Sequence, residues 1–320
     1  MKRRSQAVSN NPVAVEAARE QLAAGGSAVS AVLAGFFAAA GAHAGVLLGP
    51  VSVLVGGVGI GARAFDGRLR QPGLGVKRPR GATSDDPIPD AARVAVPTAV
   101  SAVAVALAYD GGKSLTQLLK PGIQRAVRGG AEHRAGVLRL VRGAGAAAFN
   151  DTGFVRALLR VAGPSQGGQL SPADFSDVPR VDADAFERSL DGRKLFEAPW
   201  AREIEPPEAT DWGTGAAICA VDVRRVFAAL SFRRLAHGFA LDELDLEAPL
   251  AAVPVRRGVT RVQPGARLAV PAPLALVADA SGAISEVVAA PALPYIDALA
   301  QTTLRIRCQL SSGEVEIVAG

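Results

Sequence analysis

The sequence predicts an α+β fold built in layers, with helices drawn from the first half of the chain and strands from the second. Three observations carry this expectation. Helical spacing of apolar residues dominates up to about residue 163, whereas short alternating runs dominate beyond 213. Of the 320 residues 49% are hydrophobic and 20% charged, which is enough to bury a sizeable core and too apolar for disorder. No charged side chain occurs between Gln21 and Ala62, apart from Arg63 just beyond, so the elements there are expected to be buried on all sides. The chain is therefore read as one domain, 1–320, with a helix-rich part at 1–163, a polar, Pro-rich linker at 164–212 and a strand-rich part at 213–320.

Taken in order, Pro12 to Ala24 has helical spacing, with Asn10 and Asn11 as N-cap candidates and Gly25-Gly26 suited to a left-handed C-cap. Ser27 to about Ala42 is a second, Ala-rich helix. The uncharged run that contains it is long enough to span a bilayer, but Gly41, Gly45 and Gly49-Pro50 interrupt it, and Val51-Ser-Val-Leu-Val55 is β-branched. A buried helix followed by a buried strand is expected, and no membrane. Gly57-Val-Gly59-Ile-Gly61-Ala62 loosely fits a dinucleotide fingerprint, which requires a helix to open there; Arg63-Ala-Phe-Asp66-Gly67 reads instead as a turn into another strand. Ala99–Ala108, Ser114–Arg128 with a restart at Pro121, and Thr152–Val161 are further helices. Strands are expected at Ala216–Val221, Val226–Phe232, Leu268–Val277, Ile284–Ala289, Leu304–Leu310 and Val315–Val318.

The inventory of reactive side chains narrows the chemistry. Cys219 and Cys308 stand alone, without a CxxC or a neighbouring histidine, so neither a disulfide scaffold nor a structural zinc site is expected. His43, His133 and His237 do not share metal-ligand spacing, which leaves little material for a metal centre or a Ser-His-Asp triad. No metal and no cofactor are expected. The net charge of +5 divides into 20 Lys/Arg against 9 Asp/Glu in residues 1–160 and 15 against 21 in residues 161–320. Complementary halves folding on each other explain this better than nucleic acid, since no basic stripe with interleaved aromatics occurs. Lys2-Arg3-Arg4 is followed by polar residues rather than the apolar core of a signal peptide, so a cytoplasmic location is expected.

Several segments carry a family resemblance. Ala7-Val-Ser-Asn-Asn-Pro-Val-Ala14 through Glu16-Ala-Ala, then Leu22-Ala-Ala-Gly25-Gly26-Ser-Ala-Val-Ser-Ala31 and Gly56-Gly57-Val-Gly59, resembles the opening of the γ-glutamyltransferases, with their GGNAVDA helix and glycine-rich strand. Val94-Ala-Val96-Pro97-Thr98, Leu118-Leu-Lys-Pro121-Gly-Ile123 and Gly167-Gly168-Gln-Leu170-Ser-Pro-Ala-Asp174-Phe follow in the family's order. Gln263-Pro264-Gly265-Ala-Arg267-Leu is similar to the PGKRPLSS segment, and Asp279-Ala-Ser-Gly282 to the turn after it. The resemblance implies an N-terminal-nucleophile-hydrolase-like αββα four-layer sandwich, made as a proenzyme that cuts itself at a threonine whose freed amine serves as base. It implies γ-glutamyl hydrolysis or transfer, in the setting of glutathione metabolism. Asp191-Gly-Arg-Lys-Leu-Phe-Glu-Ala-Pro199-Trp resembles the segment that precedes a long helical stretch in the family; here it passes almost directly to the cut-site strand. That stretch is missing, and the apolar surface it would leave uncovered makes a homo-oligomer the expectation.

The resemblance also implies the site. The family's nucleophile lies seven residues before an aspartate that matches Asp222, a position held by Gly215; Thr214 stands one residue early, and Thr210 further still. A one-residue slip in a strand turns a side chain to the opposite face. Thr214 is thus the catalytic candidate, with a turn residue between two glycines as the alternative. Substrate-binding candidates are Arg70 for the α-carboxylate, followed by Gln71 in place of the family's glutamate, and Arg267. Ala269 and Val270 replace the paired serines, and Ala289 and Ala290 replace the oxyanion glycines. Asp242, near Glu243 and Asp245, matches the amine-holding aspartate or a solvated turn. Three readings stay open: an amide hydrolase or transferase using Thr214 on a small γ-glutamyl or other amide substrate, a non-catalytic relative serving as a binding or assembly subunit, and an unrelated membrane or nucleic-acid protein.

Overall fold

The long uncharged run folds around one helix with no polar face. In the computed structural model, which describes residues 4–318 except 78–80, 84–85, 112–113, 177–179, 204–212, 235–237 and 310, α2 (Ala28–Ala42) is buried from Ala28 through Gly41. It is preceded by β1 (Gln6–Ser9) and α1 (Pro12–Ala23), the latter capped by Asn11, whose side chain accepts a hydrogen bond from the Ala14 N–H at 3.0 Å. A helix enclosed on every side has to be made of small residues where neighbours come close. A Cβ on Gly41 would collide with the backbone of Gly122 in the helix Lys120–Arg128, and one on Gly122 would collide with the Phe37 carbonyl.

Strands β2 (Val51–Gly57) and β3 (Ile60–Gly67) follow as a hairpin, as expected after the helix. Helices α3 (Ala99–Asp110), α4 (Leu115–Leu118), α5 (Lys120–Arg128), α6 (Glu132–Ala144), α7 (Thr152–Ala162) and α8 (Ala173–Ser176) come next. The expected helix over 114–128 is thus two, divided just before Pro121. Residues 164–212, read from composition as a linker, hold strands β4 (Asp182–Asp184), β5 (Phe186–Leu190) and β6 (Arg193–Glu197). The remaining strands are β7 (Thr214–Val221), β8 (Val226–Arg234), β9 (Gly238–Leu241), β10 (Leu246–Pro249), β11 (Leu274–Ala278), β12 (Ile284–Ala289), β13 (Leu304–Gln309) and β14 (Glu314–Ile317). Of the expected strand over 268–277 only its end joins a ladder, because Pro271 and Pro273 have no N–H to donate.

Two antiparallel six-stranded sheets form, in the orders β1-β7-β8-β2-β3-β4 and β14-β13-β12-β11-β6-β5, with β9 and β10 as a separate ribbon. Along β7 the side chains alternate. Ala216, Ile218 and Ala220 join the core shared with α1 and α2, while Ala217, Cys219 and Val221 join the core between the two sheets. Asp222 then fixes the hairpin to the helix. Its carboxylate accepts from the Arg224 N–H at 2.9 Å, from the Val226 N–H at 3.1 Å and from the Ala28 N–H at the start of α2 at 3.1 Å.

The layering is α+β, with two sheets between outer layers, but the outer layer on the second sheet is thin. The segment 291–302, with a single 3-10 turn at Leu299–Gln301, covers a small apolar cluster of Leu195, Ala275, Val277, Val288 and Ala290. The rest of that outer face is charged, apart from the exposed Phe186 on the edge strand β5. Glu286, fully buried, is surrounded by Arg305 at 2.6 Å, Arg193 at 3.0 Å and Arg307 at 3.3 Å. The bare apolar surface expected from the missing helical stretch is therefore not found on this face. Burial alone would raise the Glu286 carboxyl, but the hydrogen bonds and charges of Arg305 and Arg193 outweigh it and hold the group below the ordinary glutamate range.

Because the folded-state value is depressed, the stabilisation from Glu286 is complete above the ordinary glutamate range and is lost as pH falls through the depressed value. Glu286→Gln is expected to cost about 3 kcal/mol at neutral pH, since it leaves Arg193 and Arg305 without their counter-charge and Arg307 with Glu316 alone, and to weaken the acid dependence of the urea midpoint. In the first sheet, Val53 is fully buried. Val53→Asp is expected to cost ~3 kcal/mol or more and to move the protein to the insoluble fraction; a variant as soluble and stable as the parent would contradict the fold.

Candidate functional site

The start of β7 is where the resemblance places the nucleophile, and backbone alternation decides what can stand there. Thr214 shares its face of the strand with Ala216 and Ile218, which point to the helices, and it is exposed. Gly215 shares its face with Ala217 and Cys219, which point between the sheets. The position that faces the inter-sheet space therefore carries no side chain, and no hydroxyl fits there. A Cβ on Gly215 would collide with the Pro291 carbonyl oxygen and come within 3.2 Å of the Arg233 guanidinium carbon. Asn10 holds the strand in this register by donating from Nδ2 to the Gly215 carbonyl at 3.0 Å and accepting from the Ala217 N–H at 3.0 Å.

Neighbouring groups that would serve an acyl transfer are committed elsewhere. The Ala290 N–H donates to the Pro273 carbonyl at 3.0 Å, and Ala289 lies within the β11–β12–β13 ladder. An oxyanion hole needs such donors aimed at the reacting atom rather than at the protein's own carbonyls. Arg233, opposite Gly215 in the β7–β8 pairing, is a cation without an ion pair among the described residues. It donates to the Gly213 carbonyl at 3.5 Å, and burial pushes its pKa down.

Arg70 and Arg267 do come together, at a different place. Their backbones form an antiparallel bridge, and Arg70 is bridged to Val96 on its other side. Arg70 Nη2 donates to the Asp174 carbonyl at 2.6 Å; Arg267 Nη1 donates to the Arg68 carbonyl and to Thr98 Oγ1, both at 2.9 Å. Burial pushes the Arg267 pKa down against the opposing charge of Asp66, 3.5 Å away. Arg68 pairs with Asp66 at 3.0 Å and lies over the Trp200 ring. Asp174 accepts from the N–H groups of Gly73, Leu74 and Ser171, yet its burial outweighs these bonds and the charge of Arg70 and raises its pKa. Sequence reasoning missed Asp66, Arg68 and Arg233, whose only signal was their nearness to the motif residues. Ala269 is half-buried and Val270 buried in the chain that follows Arg267, and neither offers a hydroxyl.

Asp242 lies elsewhere again, in the β9–β10 turn, where it lines a small cleft against α7 with Glu243 and Arg160. Glu243 is ion-paired with Arg160, and Asp245 with Arg134 at 2.8 Å, so two of the three acids fasten the ribbon to helices α7 and α6. Among the described residues, Thr214 and Asp242 share no hydrogen bond or ion pair with each other or with the Arg70–Arg267 cluster. Thr210 and His237 lie outside the described residues. Among the described residues there is also no group of three or more His, Cys, Asp or Glu side chains placed to hold a metal ion.

No family model and no curated protein matches this sequence. Solved structures do match. The cephalosporin acylase from Bacillus halodurans superposes with a TM-score of 0.67 at 12% identity, covering 88% of this chain and 76% of that one. The fold is that of the N-terminal-nucleophile hydrolases. LmbA2991T421A superposes with a TM-score of 0.65 at 16% identity, over 88% of this chain and 77% of the other. A γ-glutamyltranspeptidase from Helicobacter pylori overlaps 59% of this chain and 68% of its own length at 20% identity with a TM-score of 0.48, which adds nothing to the fold assignment.

The sealed corner gives a direct test. Gly215→Thr is expected to cost about 1–3 kcal/mol by urea denaturation, because the side chain must displace the Pro291 carbonyl, and to leave the chain uncut. Thr214→Ala, on an exposed position, is expected to stay within ~0.5 kcal/mol of the parent. A Gly215→Thr protein that is as stable as the parent and splits before residue 215 would show that the corner opens.

Proposed function

We propose that this chain is a non-catalytic relative of the γ-glutamyltransferases that keeps the N-terminal-nucleophile fold as a binding or assembly subunit. The observation that carries this reading is Gly215, which occupies the nucleophile position and is closed over by the Pro291 carbonyl. Misplacing a reacting group by one ångström can cost on the order of a hundredfold in rate, and here the group is absent from the face that would need it. The occupied Ala290 N–H and the loss of serines at Ala269 and Val270 support the same reading. As a subunit the protein would act through its surface and clefts, with itself or with a second chain. Among the described residues no helix is long and apolar enough to cross a membrane.

A second reading is favoured by one observation: Thr214 is exposed, bears a hydroxyl and stands at the very start of β7. In that reading the chain is an amide hydrolase or transferase of γ-glutamyl or related amides, cutting itself between Gly213 and Thr214 so that the new amine serves as base. Intact mass spectrometry of the purified protein separates the two. The non-catalytic reading expects one species at the full sequence mass and no release of aniline from a γ-glutamyl anilide. Two fragments divided between Gly213 and Thr214, abolished by Thr214→Ala, would overturn it.

A further inference from the structure

We propose that the cleft between α7 and the 172–176 turn is a binding site for a small apolar monocarboxylate, a function independent of whether Thr214 is ever freed. The cleft has a volume of about 410 Å³, within the range of ordinary small-ligand pockets. Its apolar lining is formed by Val155 and Leu159, which are one turn apart on α7, and by Pro172 and Phe175 opposite, with Asn150, Thr152 and Ser176 as polar lining. Arg156 lines the same cleft, is exposed, and has no ion pair or hydrogen bond to a side chain among the described residues.

The surrounding charges say which end of a ligand goes where. Arg160, one turn further along α7, is already paired with Glu243. Asp151, at the start of the helix, is committed to the Gly153 N–H at 2.8 Å and the Phe154 N–H at 3.1 Å. Behind Phe175 and Asn150, which line both spaces, a smaller cavity of about 150 Å³ contains Arg70 and Asp174. One cation and one anion there offset each other, whereas Arg156 at the outer cleft makes no ion pair among the described residues. An apolar body against Val155, Leu159, Pro172 and Phe175 with its carboxylate on the Arg156 guanidinium satisfies both halves of the cleft. A guanidinium also favours a planar carboxylate over a neutral amide of the same shape.

Octanoate and its neutral isostere octanamide serve as probes, with binding to the full chain followed by calorimetry and by ligand-observed NMR. Octanoate is expected to bind more tightly than octanamide. Arg156→Gln is expected to weaken octanoate about tenfold, the effect of one charge-assisted hydrogen bond, and to leave octanamide unchanged. Val155→Trp, which fills the cleft, is expected to abolish binding of both, with an unchanged far-ultraviolet spectrum showing that α7 remains folded. No binding of octanoate to the parent, or octanoate binding that neither substitution alters, overturns the proposal. Since these readouts do not involve chain cleavage, their failure leaves the reading of Gly215 untouched, and the converse also holds.

Discussion

The carboxylate of Asp222 is the constraint on which the corner of this molecule depends. One side chain closes the β7–β8 turn and caps the first turn of α2, so the strand, its partner and the central helix are locked in a single register. Ion pairing with Arg224 at 3.3 Å adds a lid to the arrangement without changing it. Given that register, each residue of β7 has its face assigned, because strand side chains alternate. Gly215 goes inward and Thr214 outward for the same reason that Ala217 goes inward and Ala216 outward. The bare inward position at 215 is thus a property of the register and not of a local distortion at the threonine.

Much of the fold was legible because it rests on composition and period. An uncharged, small-residue run interrupted by Gly and Pro reads as an enclosed helix and strand, and α2 and β2 lie where that reasoning puts them. The alternating runs after residue 213 became strands for a similar reason. What was not legible lay in segments whose polarity hides their role. Phe186-Glu-Arg-Ser-Leu190 reads as loop material, yet it forms an edge strand whose arginine pairs with Glu197 and donates to the Ile296 carbonyl at 2.5 Å. The helix Glu132–Ala144 follows Gly129-Gly130 and has alanine rather than a capping residue at its start, so no local signal announces it.

The candidate site divides along the same line. Motif order located Arg70 and Arg267, and they do meet, since both lie in segments whose backbones bridge. It could not show that their guanidinium groups donate to the protein's own carbonyls and to the Thr98 hydroxyl, which depends on loops far apart in sequence. Asp242 was placed by proximity to a motif, and short acidic runs carry no information on direction. In the fold it faces α7, in a turn where neighbouring acids serve as fasteners. The Pro291 carbonyl behind Gly215 was out of reach of any sequence argument, because the two residues meet only when the second sheet closes on the first.

The arginine-framed glutamate on the outer sheet has a consequence for how this fold can shrink. A layer of helices is normally obligatory because the face beneath it is greasy; once that face is written in ions, the layer becomes optional. Arg193, Arg305 and Arg307 around Glu286, with Glu316 beside Arg307, turn the surface into a network of ion pairs that asks for no apolar covering. On this face ion pairs take the place of the apolar contacts that a covering helix would make.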